Sequence, residues 1–231
     1  LYITGFQPLP QLPYQIAVYQ DKASVAVVRA LLAQKSEKRL FLDAAAAPGM
    51  KTILYCLDRC EETLALDISY KRLSEAKQLV ASFCKMAHFL ATDSSFVVFR
   101  GTIFSNSLVD APCTNSGAIN RDPGLRLALW NLNEKVVKEY SLLQYKILEN
   151  VIKHLMKGGV IAYSTCSLLP EEGENVIEKI LLNHDVDLLD FPYMQLGESG
   201  YKKYSFRNKV RRTFPDIDRT SSFFIALLRK N

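Results

Sequence analysis

The stretch RLFLDAAAAPGMKT at residues 39–52 decides the fold of this chain. Its first five residues form a short apolar run that ends in an acid, which is typical of a buried strand. Small residues with Pro48 and Gly49 then form a turn, and a helix is predicted from there to about Arg59. A second apolar run ending in an acid, TLALDI at residues 63–68, follows that helix. This order of strand, helix and strand predicts a parallel sheet.

The rest of the chain continues the alternation of apolar strands with amphipathic helices. The further predicted helices are Ser24–Gln34, Lys71–Ser82, Glu134–Met156 and one opened by Pro170, and the further strands are Ala87–Ala91, Ser107–Ala111, Val160–Ser164 and Phe223–Leu228. Such a pattern predicts an α/β fold of the Rossmann-like type, with helices on both faces of a mostly parallel sheet. Residues 17–231 are predicted to form one domain, and residues 1–16 an extended N-terminal segment.

Composition narrows the class of protein. The chain has 231 residues, a net charge of +5 and an ordinary balance of 48% hydrophobic and 23% charged residues. No apolar run is long enough to span a membrane, and the first residues lack the pattern of a signal peptide. The five cysteines are odd in number and irregularly spaced, which argues against a disulfide framework and for a reduced, cytoplasmic protein. Their spacing does not predict a metal site.

Four acids, Asp43, Asp67, Asp93 and Asp110, lie at or just after predicted strands. Since the carboxyl ends of parallel strands meet at one edge of a sheet, these carboxylates are expected to converge there. They suit a ligand with ribose hydroxyls, an amino group and a positive centre, and the turn AAAAPGMKT lacks the glycine fingerprints of phosphate loops. We therefore predict a nucleoside cofactor without a pyrophosphate, such as S-adenosylmethionine. The alternative is that the acids are helix caps and turn residues.

Two cysteines also follow predicted strands, Cys113 in LVDAPCTNSGAINRDP and Cys166 in YSTCSLLPEEGE. A lone cysteine is usually a small core residue, but a cysteine just past a strand lies at the mouth of the sheet. The helix opened by Pro170 would bring its positive end close to Cys166, which favours a thiolate. Two thiols on the ligand side of the sheet predict covalent chemistry. The other cysteines lie in helical patterns and are interpreted as structural: Cys56, Cys60 and Cys84.

These motifs together resemble one enzyme family. DAAAAPGMKT is similar to the cofactor loop of the RNA 5-methylcytosine methyltransferases of the Nop2/Sun family, which includes bacterial ribosomal enzymes. DAPCTNSGAINRDP and YSTCSLLPEEGE resemble that family's two cysteine motifs. YQDKAS at Tyr19–Ser24 resembles the segment before its cofactor loop, and RRTFPDIDRTSSFFIA its closing motif. The resemblance implies a methyltransferase fold with a seven-stranded, mostly parallel sheet.

The resemblance also implies how the cofactor would be held. Asp67 would bind the ribose hydroxyls, Asp93 would lie by the adenine, and Asp110 would border both the cofactor and the target base. The methionine part of S-adenosylmethionine would be wrapped by the loop residues Ala45, Ala46, Ala47, Pro48, Gly49, Met50 and Lys51.

The reaction implied is methyl transfer to carbon 5 of a cytosine in RNA. Cys166 would be the nucleophile that adds to carbon 6, Cys113 would help to release the product, and Lys51 would be a polar contact near the reaction centre. The target base must leave its stack to be reached. Transfer RNA is the predicted substrate, with ribosomal RNA as the alternative, and the protein is expected to act as a monomer without a membrane or a metal partner.

Further contacts in the pocket or with the phosphates are predicted for Thr165, Ser167, Asn120 and Arg121. A basic C-terminal patch is either a phosphate-binding surface or a solvated face, with even weight on both, and comprises Lys202, Lys203, Arg207, Lys209, Arg211 and Arg212.

The sequence departs from the family pattern at several positions. Ala45 stands where the first cysteine of the cofactor loop is usual and Met50 where a glycine is usual. Thr114-Asn115 replaces Ser-Gly, Gly173 replaces an asparagine, and Ser221-Ser222 replaces Asp-Gly. None of these changes removes a predicted catalytic group.

Three other functions are weighed against this one. A DNA cytosine methyltransferase is disfavoured because its nucleophile lies in the first cysteine motif and because the chain lacks a recognition domain. A nicotinamide dehydrogenase is disfavoured because its glycine fingerprint is missing. A catalytically weak RNA-binding scaffold that keeps the fold is the remaining alternative.

Overall fold

The computed structural model describes residues 18–231, so the extended segment predicted for residues 1–16 lies outside the described residues. Within the described part, the helices are α1 (Lys22–Leu32), α2 (Met50–Arg59), α3 (Tyr70–Ala81), α4 (Leu125–Ala128), α5 (Glu134–His154), α6 (Glu174–Asn183) and α7 (Pro215–Asp218). Three of them begin at side-chain caps, since Asp21, Ser69 and Asn133 accept hydrogen bonds from the first free backbone N–H groups of α1, α3 and α5.

The strands form one sheet. They are β1 (Leu40–Asp43), β2 (Glu62–Asp67), β3 (Ala87–Ala91), β4 (Phe104–Asp110), β5 (Leu155–Thr165), β6 (Val186–Leu189), β7 (Glu198–Ser199), β8 (Arg211–Thr213) and β9 (Phe223–Lys230).

The sheet is parallel from one edge to its middle. Its order is β3-β2-β1-β4-β5-β9-β8-β7, and the first five strands run parallel to their neighbours. β9 runs antiparallel to β5, and its other side pairs with β8 along its first half and with β6 along its second half. The reversal between β1 and β4 is the switch point where ligands of such sheets bind.

Both faces of the sheet are covered by helices. On one face, Ile147 and Val151 of α5 and Ile177 of α6 pack with Ile161 and Tyr163 of β5. On the other face, a second core cluster joins α1 and α2 to the intervening residues of the same strands: Val27, Leu31, Tyr55, Phe41, Leu108, Val160, Ala162 and Ile225. Alternate residues of β5 therefore enter opposite cores, as the side-chain period of a strand requires.

The predicted fold class is confirmed by this architecture. The sheet has nine strands rather than the seven predicted, because the short strands β7 and β8 extend it beyond β9. The helix predicted at Pro170 begins as a 3-10 turn over Pro170–Glu172, and α6 follows from Glu174. Across residues 18–231, no helix combines the length and apolar character that a membrane crossing requires.

One prediction about the cysteines is wrong. Cys56 in α2 and Cys84 after α3 form a disulfide, whereas the number and spacing of the cysteines predicted none. Helix packing brings the two residues together, although 28 positions separate them in the sequence. Cys60, Cys113 and Cys166 are free thiols.

Candidate active site

The loop between β1 and α2 frames a cavity at the carboxyl edge of the sheet. Gly49 has a φ of 100°, and a Cβ at this position would lie 2.6 Å from a side-chain carbon of Val80. Only glycine therefore fits this turn without strain. The cavity is lined by Asp43, Ala45, Ala46, Ala47, Pro48, Met50, Lys51, Leu108 and Asp110. Most of the residues predicted to wrap the cofactor are thus brought together around one space.

Asp43 is a buried carboxylate in the wall of this cavity. Its Oδ2 accepts a hydrogen bond from Thr52 Oγ1 at 2.7 Å, and its Oδ1 has a long contact of 3.4 Å with Ala45 N. Burial, the largest effect, raises the pKa of Asp43 to about 7, while the Thr52 hydrogen bond opposes that rise. Negative charge at this position is therefore costly unless a cation lies beside it.

Lys51 and Asp110 form an ion pair that lines the same cavity. Lys51 Nζ lies 2.6 Å from Asp110 Oδ2, and Ser164 Oγ donates to Asp110 Oδ1 at 2.6 Å. Lys51 Nζ also lies 5.3 Å from the ring centre of Phe223. Asp110 therefore holds together the helix after the cofactor loop and the ends of β4 and β5, close to both cysteine motifs.

Asp67 and Asp93 do not line the cavity itself. Asp67 supports the cofactor loop, since its Oδ2 accepts from Ala47 N at 3.3 Å and its Oδ1 from Ser69 N at 2.9 Å. Arg72 approaches the same carboxylate at 3.7 Å and donates to Ala47 O at 2.9 Å. Asp93 accepts a hydrogen bond from Ser95 N at 2.8 Å. Both acids make the turn contacts that the alternative interpretation expected.

The two predicted catalytic cysteines are in direct contact. Cys113 Sγ and Cys166 Sγ lie 3.0 Å apart, with Cys113 buried and Cys166 partly exposed. The hydrogen bond with Cys166 and burial raise the pKa of the Cys113 thiol well above its usual value. Cys113 is therefore held as the protonated thiol, and Cys166 is the sulfur that a ligand can reach.

Glu172 joins the loops that carry these cysteines, a role that the sequence pattern did not predict. Its fully buried carboxylate accepts from Thr114 N at 2.9 Å and Thr114 Oγ1 at 2.6 Å, next to Cys113. It also accepts from Ser167 Oγ at 2.5 Å, next to Cys166, and from Gln144 Nε2 at 3.0 Å. A buried carboxylate without a cation is costly unless hydrogen-bond donors surround it. Because its donors come from both cysteine loops, Glu172 fixes the two loops relative to each other.

Two of the predicted pocket or phosphate contacts lie in the protein interior. Thr165 and Ser167 are fully buried. Thr165 Oγ1 donates to Glu172 O at 3.2 Å, and Ser167 Oγ donates to the Glu172 carboxylate. Both hydroxyls are engaged by Glu172 and so support the loop that carries Cys166. Asn120, by contrast, lies on the surface.

The basic C-terminal patch is also smaller than predicted. Arg212 is 1% exposed and pairs with the buried Glu174, with its Nε 2.8 Å from Glu174 Oε1. Its Nη1 donates to Ser167 O at 3.0 Å, so it supports the Cys166 loop. Arg211 is buried as well, and its Nη1 donates to Val210 O at 2.8 Å.

The first and last motifs of the sequence meet at Asp21. Its carboxylate accepts from Thr220 Oγ1 at 2.5 Å and from Ser221 N at 3.1 Å, across about 200 positions of sequence. Burial alone raises the pKa of Asp21, but the hydrogen bonds from Thr220 and Ser221 outweigh burial and lower it. Ser222 N in turn donates to Gly117 O at 3.1 Å, and Gly117 N donates to Cys166 O at 3.0 Å. The closing motif is thereby connected to the cysteine loops.

The sheet order and its covering helices are the Rossmann-like fold of the S-adenosylmethionine-dependent methyltransferases. A family model described as 16S rRNA methyltransferase RsmB/F matches residues 29–229. The chain belongs to this family.

Individual relatives agree with that membership. Ribosomal RNA small subunit methyltransferase F of Aliivibrio fischeri is 30% identical over 217 residues, covering 92% of this chain and 45% of the relative. Ribosomal RNA small subunit methyltransferase B of Pectobacterium carotovorum is 30% identical over 228 residues, covering 96% and 49%. The crystal structure of NSun6 from Pyrococcus horikoshii with SFG superposes with a TM-score of 0.76 at 29% identity, covering 91% of this chain and 52% of that one. The chain therefore spans about half the length of the relatives that it matches.

Proposed function

We propose that this chain is the catalytic part of an S-adenosylmethionine-dependent RNA methyltransferase that modifies carbon 5 of cytosine, with Cys166 as the nucleophile. The observation that carries the proposal is the contact between two thiols beside the Lys51–Asp110 pair, at the carboxyl edge of the sheet. A thiol pair of this kind fits a reaction that forms and then releases a covalent adduct. Membership of the RsmB/F family supports RNA as the substrate.

The donor set of the cavity fits S-adenosylmethionine. Asp43 is a buried carboxylate, and a bound cation would offset the cost of its charge. Ala45, Ala46, Ala47, Pro48, Gly49 and Met50 would wrap the methionine part of the cofactor, while Asp67, Asp93 and Asp110 would take the ribose, the adenine side and the border with the base. When bound, S-adenosylmethionine supplies a methyl group activated by a sulfonium. NSun6 of Pyrococcus horikoshii was solved with SFG, an analogue of this cofactor.

The protein's own groups would prepare the cytosine for methyl transfer. The Cys166 thiolate would form a bond to carbon 6, and the ring electrons would shift to make carbon 5 nucleophilic. Asp110, held between Lys51 and Ser164, would stabilise the negative charge that develops at ring nitrogen 3 during addition by sharing a proton with that nitrogen. Loss of the carbon 5 proton would re-form the ring double bond and expel the thiolate, and Cys113 would assist that step.

The choice of RNA rests on the relatives rather than on the site. Transfer RNA, the substrate predicted from the sequence, stays a prediction. The relatives are named as ribosomal RNA small subunit methyltransferases, which favours small-subunit ribosomal RNA as the first substrate to test. A monomeric, cytoplasmic enzyme without a metal also stays a prediction.

A methyl-transfer assay with labelled S-adenosylmethionine tests the proposal. Unmodified small-subunit ribosomal RNA and transfer RNA transcripts would be compared, with Cys166→Ala, Cys113→Ala and, as the control, Cys60→Ala at an exposed free cysteine. We expect 5-methylcytosine from the wild type and from Cys60→Ala, no product from Cys166→Ala, and a covalent protein–RNA adduct that accumulates with Cys113→Ala.

Two outcomes would contradict the proposal. Full activity of Cys166→Ala would remove its role as the nucleophile. Cofactor binding without transfer to either RNA would instead favour a scaffold that retains the fold.

A further inference from the structure

Asn115 contacts the sulfur atoms of both catalytic cysteines. Its Oδ1 accepts a hydrogen bond from Cys166 Sγ at 2.8 Å and lies 3.7 Å from Cys113 Sγ. Within residues 18–231, the polar partners of the Cys166 sulfur are this oxygen and Cys113 Sγ. We propose that Asn115 is a third catalytic residue of the thiol pair, which holds Cys166 as the protonated thiol until the target base arrives. This inference rests on the proposed role of Cys166 as the nucleophile.

The backbone fixes the Asn115 side chain in this position. Asn115 has a φ of 57°, in the left-handed region that asparagine, aspartate and glycine adopt most readily. Its carbonyl accepts from Ala118 N at 2.9 Å, which closes the turn, and Gly117 N in the same turn donates to Cys166 O at 3.0 Å. The turn that presents the amide is therefore tied to the backbone of the cysteine that the amide contacts.

The hydrogen-bonding chemistry of the contact shows which form of the Cys166 sulfur it favours. A thiol donates to an amide oxygen, whereas a thiolate has no hydrogen to offer, so this contact stabilises the protonated form. The ionisable groups around the pair are Cys113 itself, the Glu172 carboxylate, the Tyr163 hydroxyl, and the ion pair of Lys51 with Asp110. Both carboxylates are already held by donors of their own, which leaves Asn115 as the neutral group that acts on the Cys166 sulfur directly.

Asn115 also lies on the open side of the pair. It is exposed, Cys166 is partly exposed and Cys113 is buried, so the amide and the Cys166 sulfur share the solvent side of the pair. Displacement of the amide by the base would free the sulfur to ionise at the moment when carbon 6 is in reach. Asn115 would thus limit the reactivity of Cys166 toward other electrophiles.

Alkylation by iodoacetamide measures this effect without RNA or cofactor. The Cys166 thiolate forms a carbon–sulfur bond with the reagent and releases iodide, and peptide mapping by mass spectrometry separates Cys166 from the other thiols. Asn115→Gly and Asn115→Asp both tolerate the left-handed backbone, so they change the group at the sulfur and keep the turn. Asn120→Asp adds the same charge in the same loop, on a surface residue, and is the matched control.

We expect the Cys166 alkylation rate at neutral pH to rise roughly three- to tenfold in Asn115→Gly and to fall by a similar factor in Asn115→Asp. The midpoint of the rate against pH should move to lower pH in the glycine variant and to higher pH in the aspartate variant, with Asn120→Asp unchanged. Equal rates for all three residues at position 115, or the reverse order, would overturn the inference. If the alkylation rates follow the expected order but the protein transfers no methyl group, the inference is supported and the proposed function is contradicted. If the alkylation rates are equal in an active enzyme, only the inference is refuted.

Discussion

At the scale of single residues, Asp43 shows how burial prepares a carboxylate for a ligand. Its side chain is 1% exposed, and its shortest hydrogen bond comes from Thr52. Burial raises the pKa of Asp43 to about 7, and the charge of Asp110 raises it further while Lys51 lowers it. In the unfolded chain the same group ionises near its ordinary value of 3.8. The folded protein therefore binds a proton at Asp43 that the unfolded protein has already lost.

This difference predicts a loss of stability as pH rises. Because the pKa in the folded state is raised, the contribution of Asp43 is fully present below about pH 4 and is lost as pH rises through about 7. The free energy of unfolding should fall by a few kcal/mol between these limits, since each tenfold change in proton affinity corresponds to ~1.4 kcal/mol. Asp43→Asn keeps the shape and removes the titration, so its free energy of unfolding should not show this fall. Urea unfolding of both proteins from pH 4 to pH 8 measures it, and parallel curves would contradict the prediction.

At the scale of elements, features formed by residues close in sequence could be predicted, whereas contacts between distant segments of the chain could not. Apolar runs ending in acids fixed the ends of β1, β2 and β4, and the cofactor loop followed directly from them. Asn115 and Glu172 act on groups that lie in other segments, and nothing in the local pattern marks such a contact. Ser167 shows the same limit, since a polar residue after a strand is equally typical of a ligand contact and of a buried support.

Arg212 illustrates a contact between distant segments of the chain, and the energy of this contact can be measured. The pattern of basic residues from Lys202 to Arg212 predicted a surface, but β8 turns Arg212 inward against Glu174 of α6. The guanidinium also lies over the rings of Tyr201 and Phe224, at 4.3 and 5.0 Å. Removing one charge of a fully buried pair leaves the other uncompensated, which costs more than the pair itself contributes.

We predict that Glu174→Gln lowers the free energy of unfolding by about 3–5 kcal/mol, because it leaves the Arg212 charge buried and unpaired. Arg212→Met combined with Glu174→Gln should recover part of that loss, since both charges are then absent. Glu178→Gln, at an exposed position of the same helix, should stay within about 0.5 kcal/mol of the wild type. Urea unfolding at pH 7 gives the values, and equal effects at positions 174 and 178 would show that the buried pair carries no special energy.

At the scale of the whole molecule, charge determines how the protein would meet RNA. The net charge is +5, yet two of the six arginines and lysines expected to form the C-terminal patch are buried. Lys202 and Lys203 remain exposed between β7 and β8, at one end of the sheet. The order of strands places β3 at the opposite end, where Lys77 and Lys85 are also exposed. The molecule therefore offers two lysine pairs of equal charge on opposite sides of the site.

If RNA lies across the β7–β8 end, only the first pair contacts phosphates. Reversing Lys202 and Lys203 to glutamate should then weaken binding of a small-subunit ribosomal RNA transcript roughly tenfold, and should lower the slope of log affinity against log salt by about 1–2. The same reversal at Lys77 and Lys85 changes the net charge equally but removes no phosphate contact, so its salt slope should match the wild type. Fluorescence anisotropy over a series of potassium chloride concentrations measures both slopes. Identical losses in the two variants would mean that overall charge alone attracts the RNA and that it does not lie across the β7–β8 end.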